Sequence, residues 1–453
     1  MPHSPHTGTS APTTLPSLRN PYIANTDADR DAVLAAIGVA SVDDLFTDIP
    51  AAYRHPAIAL PPPLSEAELL RELGALAARN RPVTAMPSFL GGGARAHYVP
   101  SVVGHILGRS EYATAYTPYQ PEIAQGTLQT AFEFQSMVCE LFGMDVANTG
   151  MYDGASALAE ACLMAAAVTG RDRVALLDTH HPDAVQVVRT YAAGRGLAVD
   201  TLADAAELTG AHACLAVQQP NFFGELEDGA ALGERAHAAG ALSIVSADPL
   251  SLGLLAPPGA YGADIAVGDG QPIGAGLNFG GPSVGLFACR ERFVRHMPGR
   301  IVGRTRDTEG RTGYVLTLQT REQHIRRERA TSNICTSQQL IALGVTVYLA
   351  AVGPHGLRRV AELCYHKAHY LAAAIAALPG WRVGRGHGRP FFNEFVACGP
   401  LAPTEVNRRL LDRGIIGGLD VSDRVPNGLL LCATELNTRD QIDALVAELG
   451  ALR

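Results

Sequence analysis

Lysine is almost absent from this chain of 453 residues: Lys367 is the only one, although lysine and arginine together number 36. Arginine cannot replace a lysine that forms a Schiff base, because its pKa is too high for it to act as an amine. Covalent chemistry through a lysine amine is therefore restricted to Lys367. That residue lies in RRVAELCYHKAHYLAAAIAAL, the pattern of an amphipathic helix, so we expect an ordinary solvent-facing side chain.

Paired cysteines and long apolar runs are also missing. The 8 cysteines are scattered without a CxxC pair, which argues against a zinc site or a thioredoxin-like centre. No run approaches the roughly eighteen apolar residues that a membrane helix requires. The N-terminal segment lacks the apolar core of a signal peptide, and we expect residues 1–20 to form a disordered tail. These absences predict a cytoplasmic protein with reduced thiols and no membrane partner.

Charge and histidine placement argue against two further classes. A formal net charge of −8 disfavours a nucleic-acid partner. The pair His180-His181 follows the predicted strand RVALLD, but adjacent side chains point in different directions and no carboxylate or cysteine spacing supports them. We therefore expect no metal site.

The chain is long enough for one large domain and a smaller one. Residues 21–80 carry helix patterns with cap signals, such as Ser65 followed by Glu68, and predict an N-terminal helical arm. From residue 81, short apolar runs alternate with helices, which indicates an α/β domain with a mainly parallel sheet covered on both faces. The predicted strands are 173–178, 213–218, 242–248, 263–267 and 283–289 in a large domain (81–345), and 391–398 and 428–434 in a small C-terminal α+β domain (346–453).

This order of elements is typical of the fold type I class of pyridoxal-phosphate-dependent transferases, the aminotransferase-like fold. LSIVSADP ends a predicted strand with Asp248, where such folds place the carboxylate that pairs with the pyridine nitrogen. Their reactive lysine is expected after the next strand, in the glycine-rich loop GDGQPIGAGLNFGGP (268–282). That loop contains no lysine.

Three long segments of the chain resemble the P-protein of the glycine cleavage system. They are TAYTPYQPEIAQGTLQTAFEFQSMVCELFGMDVANTGMYDGASALAEA (114–161), GQPIGAGLNFGGPSVGLFACRERFVRHMPGRIVG and GYVLTLQTREQHIRRERATSNICT. The likeness runs from about residue 20 to the C-terminus. It is to the N-terminal half of the family, which some bacteria encode as a separate subunit 1.

The resemblance implies a two-subunit glycine dehydrogenase (aminomethyl-transferring, decarboxylating), expected as a heterotetramer. A homologous subunit 2 would carry pyridoxal phosphate on its lysine and decarboxylate glycine. The aminomethyl group would then pass to the lipoyl arm of the carrier H-protein, whose disulfide is reduced. This chain would bind no cofactor covalently and would supply site walls, the lipoyl channel and assembly surfaces.

The cofactor positions themselves are altered. In the half of the family that carries the cofactor, a His-Lys pair follows the strand after GAD. Aligned on Gly262-Ala263-Asp264, that pair falls on Gln271-Pro272, and proline has no amine with which to bind the cofactor. Gly154–Ser156 opens a helix whose N–H groups could hold a phosphate, but Asp153 stands at the N-cap position and would take these donors. We call Ser156, Asp248 and Gln271, with Pro272, the relic site.

Polar side chains are concentrated in YTPYQPEIAQG (116–126), where two prolines stiffen the loop. We expect them to line a site formed with the partner subunit, the alternative being a packed interface loop. His97 and Tyr98, after the triple glycine of GGGARAHYVP, and Asn333, in ATSNICT, belong to the same hypothesis. The residues assigned to this lining are His97, Tyr98, Tyr116, Thr117, Tyr119, Gln120, Glu122, Gln125 and Asn333.

Other interpretations remain open. A catalytically inert scaffold or regulatory protein of the same fold is one alternative, and a self-sufficient enzyme that uses Lys367 is another. The arginine-rich segment LQTREQHIRRERATSNICT is either a solvated helix with i,i+4 charge pairs or a docking surface for an acidic carrier protein.

Overall fold

The computed structural model describes residues 24–54, 56, 59–82, 85–334 and 337–452. Contacts divide the chain into two compact units, Met1–Asn80 and Arg81–Arg453. The predicted tail, residues 1–20, lies outside the described residues.

Among the described residues of the first unit there are two α-helices, α1 (Asp27–Ile37) and α2 (Glu66–Ala77). Each begins at a capping box, and that of α2 is the predicted pair Ser65 and Glu68. No residue of either helix is buried. Local capping signals therefore define these helices, because neither has a buried face.

The second unit alternates strands and helices. Its helices are α3 (Ser101–Leu107), α4 (Ser110–Ala113), α5 (Gln125–Phe142), α6 (Gly154–Thr169), α7 (Pro182–Ala193), α8 (Gly229–Ala238), α9 (Gln323–Arg326), α10 (Gln339–Ala376), α11 (Pro403–Asp412) and α12 (Arg439–Ala451). Its strands are β1 (Val146–Ala147), β2 (Arg173–Leu177), β3 (Ala198–Leu202), β4 (His212–Gln219), β5 (Leu242–Ala247), β6 (Ile265–Asp269), β7 (Gly285–Cys289), β8 (Ile301–Arg306), β9 (Thr312–Thr317), β10 (Arg382–Val383), β11 (Glu394–Cys398), β12 (Leu419–Asp420) and β13 (Gly428–Cys432).

Seven strands form the large sheet in the order β1-β7-β6-β5-β4-β2-β3. The five strands from β6 to β3 are parallel, and β7 runs antiparallel to β6. Alternate side chains of β2 enter different cores: Val174 and Leu176 pack with α6, whereas Ala175 and Leu177 pack with Ala236 of α8. A sheet covered on both faces explains why its strands are continuous apolar runs, and the predicted mainly parallel α/β sheet is confirmed.

A second, four-stranded sheet has the order β10-β11-β13-β12 and is antiparallel throughout. One of its faces packs against α10, α11 and α12, with Leu371 and Leu445 in a shared core. The expected domain boundary at residue 345 falls inside α10, and the unit Arg81–Arg453 is not divided there.

Helix α10 is interrupted at Gly353, whose φ of 61° and ψ of −178° are not helical, and Pro354 follows it. Among the described residues, α10 is the one helix long and apolar enough to cross a membrane. Its buried side chains, such as Tyr348 and Leu371, pack in the two cores that it joins. This is the pattern of a core helix that serves both sheets.

Of the two interpretations of the arginine-rich segment, the solvated helix with i,i+4 charge pairs is wrong, and the docking surface stays a prediction. Only the single turn α9 is α-helical, and Arg321 donates to the carbonyl oxygens of Met297 and Gly299. These two hydrogen bonds hold the segment against the body of the unit.

Candidate functional site

The relic site lies where β5, β6 and the N-terminus of α6 meet. Parallel strands end together at one edge of a sheet, and ligands of open α/β sheets bind there. Asp248 follows β5, and Asp269 ends β6. Both carboxylates line a cavity of about 200 Å³ together with Arg95, Gly154 and Pro272.

Two carboxylates occupy the N-terminus of α6, where a phosphate group would bind. Asp153 Oδ1 accepts from the Ser156 amide at 2.7 Å, so the predicted N-cap is confirmed. Asp269 Oδ2 accepts from the Gly154 amide at 2.7 Å, and its Oδ1 accepts from the Ser283 hydroxyl at 2.6 Å. Burial raises the pKa of Asp269, against the lowering effect of these hydrogen bonds. The helix terminus is thus already satisfied by anions of the chain itself.

Arg95 occupies the position beside Asp248. Its Nη2 lies 2.9 Å from Asp248 Oδ2, and its Nη1 lies 3.0 Å from Glu394 Oε2, with all three side chains buried. Burial would lower the pKa of Arg95, but the two carboxylates raise it overall. The carboxylate expected to face a pyridine nitrogen therefore pairs with an internal cation.

The loop that carries Arg95 is fixed on both sides. Gln271 accepts from the Arg95 amide at 3.3 Å and donates to the Arg95 carbonyl at 2.7 Å. Glu394 Oε1 accepts from the amides of Gly92 and Gly93 at 2.8 and 3.3 Å. These glycines have φ values of 98° and 96°, which other residues rarely adopt, so the triple glycine allows this approach.

The residues of the relic site do not fit pyridoxal phosphate. Its phosphate would meet Asp153 and Asp269, which hold the donors of α6 and carry negative charge. Its ring nitrogen would compete with the Arg95 guanidinium for Asp248. Pro272, buried in the lysine position, offers no amine. The cavity is lined by charged side chains of the chain itself, which take the contacts that the cofactor would need.

His97 and Tyr98 lie against the C-terminal part of the chain. His97 Nδ1 is 2.8 Å from Glu435 Oε2, which also accepts from the Cys364 thiol at 3.3 Å. The Tyr98 amide donates to Glu435 Oε1 at 2.6 Å. Ligand atoms of His97, Cys364 and Glu435 lie within 4.8 Å of one another, close enough to hold a metal ion. Burial raises the pKa of Cys364 well above its usual value, so the thiol stays protonated and we interpret the group as a hydrogen-bonded cluster.

Tyr119 is tied to a buried arginine. Its hydroxyl accepts from Arg300 Nη2 at 2.8 Å, and the Arg300 guanidinium lies 5.2 Å from the centre of its ring. On the other side, Arg300 Nε is 3.4 Å from Glu322 Oε2. Arg300 and Glu322 are buried, whereas Tyr119 is 44% exposed. The tyrosine thus links a buried cation to the surface.

Arg300 also lines a cavity of about 280 Å³ with Tyr116, Thr117, Ser337 and Gln339. Within the part of the chain that the structure describes, Ser337 Oγ and Gln339 Nε2 are buried without a hydrogen-bond partner. Unpaired buried donors cost roughly 1–3 kcal/mol each. Such groups are typical of a surface that is completed by a ligand or another chain.

The other predicted lining residues have different positions. Gln120 and Glu122 are exposed. Gln125 donates to the carbonyl oxygens of Pro121 and Tyr314 and accepts from the Tyr314 amide, so its amide group clamps the loop to β9 and is not available to a ligand. Asn333 lines a separate cavity beside Glu160. The residues that were predicted to line one site therefore lie in three separate groups in the structure.

Lys367 is not the solvent-facing residue that the helix pattern predicted. It is half-buried, and its amine donates to the Glu435 carbonyl at 2.5 Å. The histidine pair is also structural: His181 caps α7 and contacts the Gly92 carbonyl, while burial lowers the pKa of His180 to about 4.

Residues 20–449 match the family described as glycine cleavage system P-protein. The chain belongs to the P-protein family. It is 53% identical over 443 residues to the probable glycine dehydrogenase (decarboxylating) subunit 1 of Thermomicrobium roseum, covering 94% of this chain and 98% of that protein. The protein of the same name from Chlorobium limicola is 51% identical over 446 residues, covering 95% and 100%.

Solved structures agree with the family assignment. A crystal structure of glycine decarboxylase (P-protein) of the glycine cleavage system, in inhibitor-bound form, is 46% identical and has a TM-score of 0.90, covering 95% of this chain and 100% of that one. Sphingosine-1-phosphate lyase from Burkholderia pseudomallei is 18% identical with a TM-score of 0.64, covering 89% and 94%, and so shows the fold alone. This P-protein chain has the fold type I architecture of pyridoxal-phosphate-dependent enzymes, as predicted.

Sequence reasoning did not find the residues that fill the relic site. Arg95 follows the triple glycine after Ala94, Asp269 lies in the predicted glycine-rich loop just after the predicted strand 263–267, and Glu394 lies in the predicted strand 391–398. A charged residue in an apolar or glycine-rich segment is unusual, and this was the sequence feature that could have indicated them. Arg300, which holds Tyr119, lay in a segment quoted only for its resemblance to the P-protein family.

Proposed function

We propose that this chain is subunit 1 of a two-subunit glycine dehydrogenase (decarboxylating), and that pyridoxal phosphate binds in the partner subunit. The observation that carries the proposal is the relic site, in which Arg95, Asp269 and Pro272 take the places that a cofactor would need. The relatives named subunit 1 match nearly the whole chain, which supports the same division of labour. We expect this assembly to be cytoplasmic, and the described cysteines are free thiols.

In this proposal, the chain contributes a polar wall to the partner's site. Arg300, Ser337 and Gln339 present donors to one cavity, so the group they are suited to hold is an anion. Tyr119 keeps the guanidinium of Arg300 in place. The anion would be the carboxylate of glycine or a negative group of the partner's site. Loss of carbon dioxide, and transfer of the aminomethyl group to the lipoyl arm of H-protein, are assigned to the partner and its cofactor.

Reconstitution tests this division directly. Glycine–bicarbonate exchange is expected only when the chain is combined with its lysine-bearing partner, because this chain lacks the amine and the partner lacks the wall. Exchange by the partner alone at the rate of the complex would favour the alternative of an inert scaffold. Full exchange by this chain alone would contradict the proposal.

A chemical prediction accompanies this test. Borohydride reduction of the isolated chain with pyridoxal phosphate is expected to leave no cofactor on the protein, because the Lys367 amine is held by the Glu435 carbonyl and Pro272 has none. Peptide mass mapping checks this, with the partner subunit as the positive control. A stoichiometric adduct at Lys367 would establish the self-sufficient alternative.

A further inference from the structure

A third cavity shares no lining residue with the two described above, although Asn333, which was predicted to line the partner's site, is part of its wall. It has a volume of about 360 Å³ and is lined by α6, the end of α7 and residues 323–333. Small-molecule sites commonly begin at roughly 300 Å³, and one water occupies about 30 Å³. The space therefore suits a small organic molecule better than a single ion or water.

The floor of this cavity is a buried carboxyl group. Glu160 is 2% exposed, and its Oε1 accepts from the Ser332 hydroxyl at 2.9 Å. Its Oε2 has no hydrogen-bond partner among the described residues. Burial raises the pKa of Glu160 to about 7, against the Ser332 hydrogen bond and the charge of Arg195. A buried carboxyl with one unpaired oxygen is costly, and an apolar or amide side chain would pack there at lower cost.

Two guanidinium groups stand at the mouth. Arg195, just after α7, and Arg327 both line the cavity and are exposed. Within the described residues, neither side chain makes a hydrogen bond or an ion pair, although the charge of Arg195 acts on Glu160. The other titratable groups that face Glu160 are Tyr191 and Glu328.

We propose that this cavity binds a small amino acid as a zwitterion, with its ammonium group on Glu160 and its carboxylate on Arg195 and Arg327. A simple anion would pair with Arg195 and Arg327 but would be repelled by Glu160. A simple amine would pair with Glu160 but would be repelled by the two arginines. A molecule with both charges pairs the open oxygen of Glu160 and also the two unpaired arginines. The inference goes beyond the proposed function, because it concerns a different cavity and can be tested without the partner.

Calorimetric titration of the full chain at about pH 7 is the test, with glycine, L-serine and 4-aminobutanoate as probes and acetate and methylamine as half-molecules. At least one amino acid is expected to bind at least about tenfold more tightly than either half. Because an ammonium group favours ionised Glu160, binding should release up to roughly half a proton. Repeating the titration in two buffers of different ionisation enthalpy measures that release.

Three variants complete the design. Glu160→Gln should abolish the proton release and weaken binding about tenfold or more. Arg195→Ala, at an exposed position, should weaken binding without affecting folding, whereas Arg189→Ala, an exposed arginine on α7 that bonds Thr201, should not. Absence of binding by all three amino acids at about 10 mM, uptake of a proton, or equal affinity in Arg195→Ala and the native chain would each overturn the proposal.

The same carboxyl predicts a pH dependence of stability. The pKa of Glu160 is raised in the folded chain to about 7 from an ordinary 4.5, so the folded state binds more protons between these values. Stability from this group is therefore present below about pH 4.5 and lost as the pH rises through about 7. The melting temperature of the native chain should fall relative to Glu160→Gln over this range. A constant difference between the two would remove Glu160 as a titrating group.

Discussion

Replacing Arg95 by methionine is expected to lower the free energy of unfolding by about 3–5 kcal/mol. The substitution keeps an unbranched, largely apolar side chain and removes the charge together with the guanidinium donors, one of which also bonds Asn393 Oδ1 at 3.2 Å. Asp248 and Glu394, both buried, then lose the cation that lies within 3.0 Å of them. Two like charges without a counter-ion in a poorly solvated cavity repel each other and lose their compensation for desolvation.

Urea unfolding followed by the fluorescence of Trp381, the only tryptophan and a buried one, measures this loss. Arg408→Met is the matched control, because Arg408 also pairs with two carboxylates, Glu405 and Asp412, but at the surface. It should cost no more than about 1 kcal/mol. Neutralising the acids as well, in the triple variant Arg95→Met/Asp248→Asn/Glu394→Gln, should restore part of the stability. Equal losses in Arg95→Met and Arg408→Met would show that the buried pairs contribute no more than surface pairs.

Glycine–bicarbonate exchange by the reconstituted complex is expected to fall about tenfold or more in Tyr119→Phe, which corresponds to roughly 1.4 kcal/mol or more. The ring remains, and the lost hydroxyl is the partner of Arg300 Nη2 at 2.8 Å. Without it, the guanidinium keeps its contacts with Glu322 and with the ring but loses the hydrogen bond that fixes it toward the cavity that it lines. A hydrogen bond to a charged group contributes about 1.5–3 kcal/mol, which sets the scale of the effect.

Tyr370→Phe is the control for this experiment. Tyr370 is 40% exposed, its hydroxyl donates to Asp443 at 2.6 Å, and the Arg439 guanidinium lies 5.4 Å from its ring. It therefore matches Tyr119 in exposure and in the arginine beside its ring, although its hydroxyl donates to a carboxylate, and its loss should leave exchange unchanged. A rise in KM for glycine in Tyr119→Phe would identify the substrate carboxylate as the anion held; a lower kcat at unchanged KM would identify a group of the partner's site. An exchange rate within about twofold of the native complex would remove Tyr119 from the site and favour the scaffold.

How well the sequence predicts each element and contact of this molecule depends on how far apart in sequence the interacting residues lie. Strands β2, β4, β5, β6 and β7 are apolar runs buried on both faces, so hydrophobicity alone reveals them. The hairpin of β8 and β9 was not predicted. Its outer residues are polar and exposed, and its two strands pair with each other, so neither strand appears in the sequence as a continuous apolar run. The Asp153 cap was predicted because its partner, Ser156, is three residues away.

The contacts that occupy the relic site could not be predicted from sequence patterns. Arg95 and Glu394 are 299 positions apart, and Gly154 and Asp269 are 115 apart. Without an alignment, nothing in a single sequence connects a charge in a loop with one in a distant strand. The error at Lys367 has the same origin: its helix pattern was read correctly, but the Glu435 carbonyl that receives its amine comes from a segment distant in sequence.

The pairing of Arg95 with Asp248 and Glu394 also bears on how this chain can evolve. Restoring a lysine at position 272 alone would place a second cation near the guanidinium of Arg95, and the anions of α6 would still exclude a phosphate. Removing Arg95 first would leave two buried carboxylates unpaired. Each of these substitutions, made alone, is therefore expected to give a less stable protein. A cofactor site would therefore require several simultaneous substitutions, because a few buried charges oppose each substitution made alone.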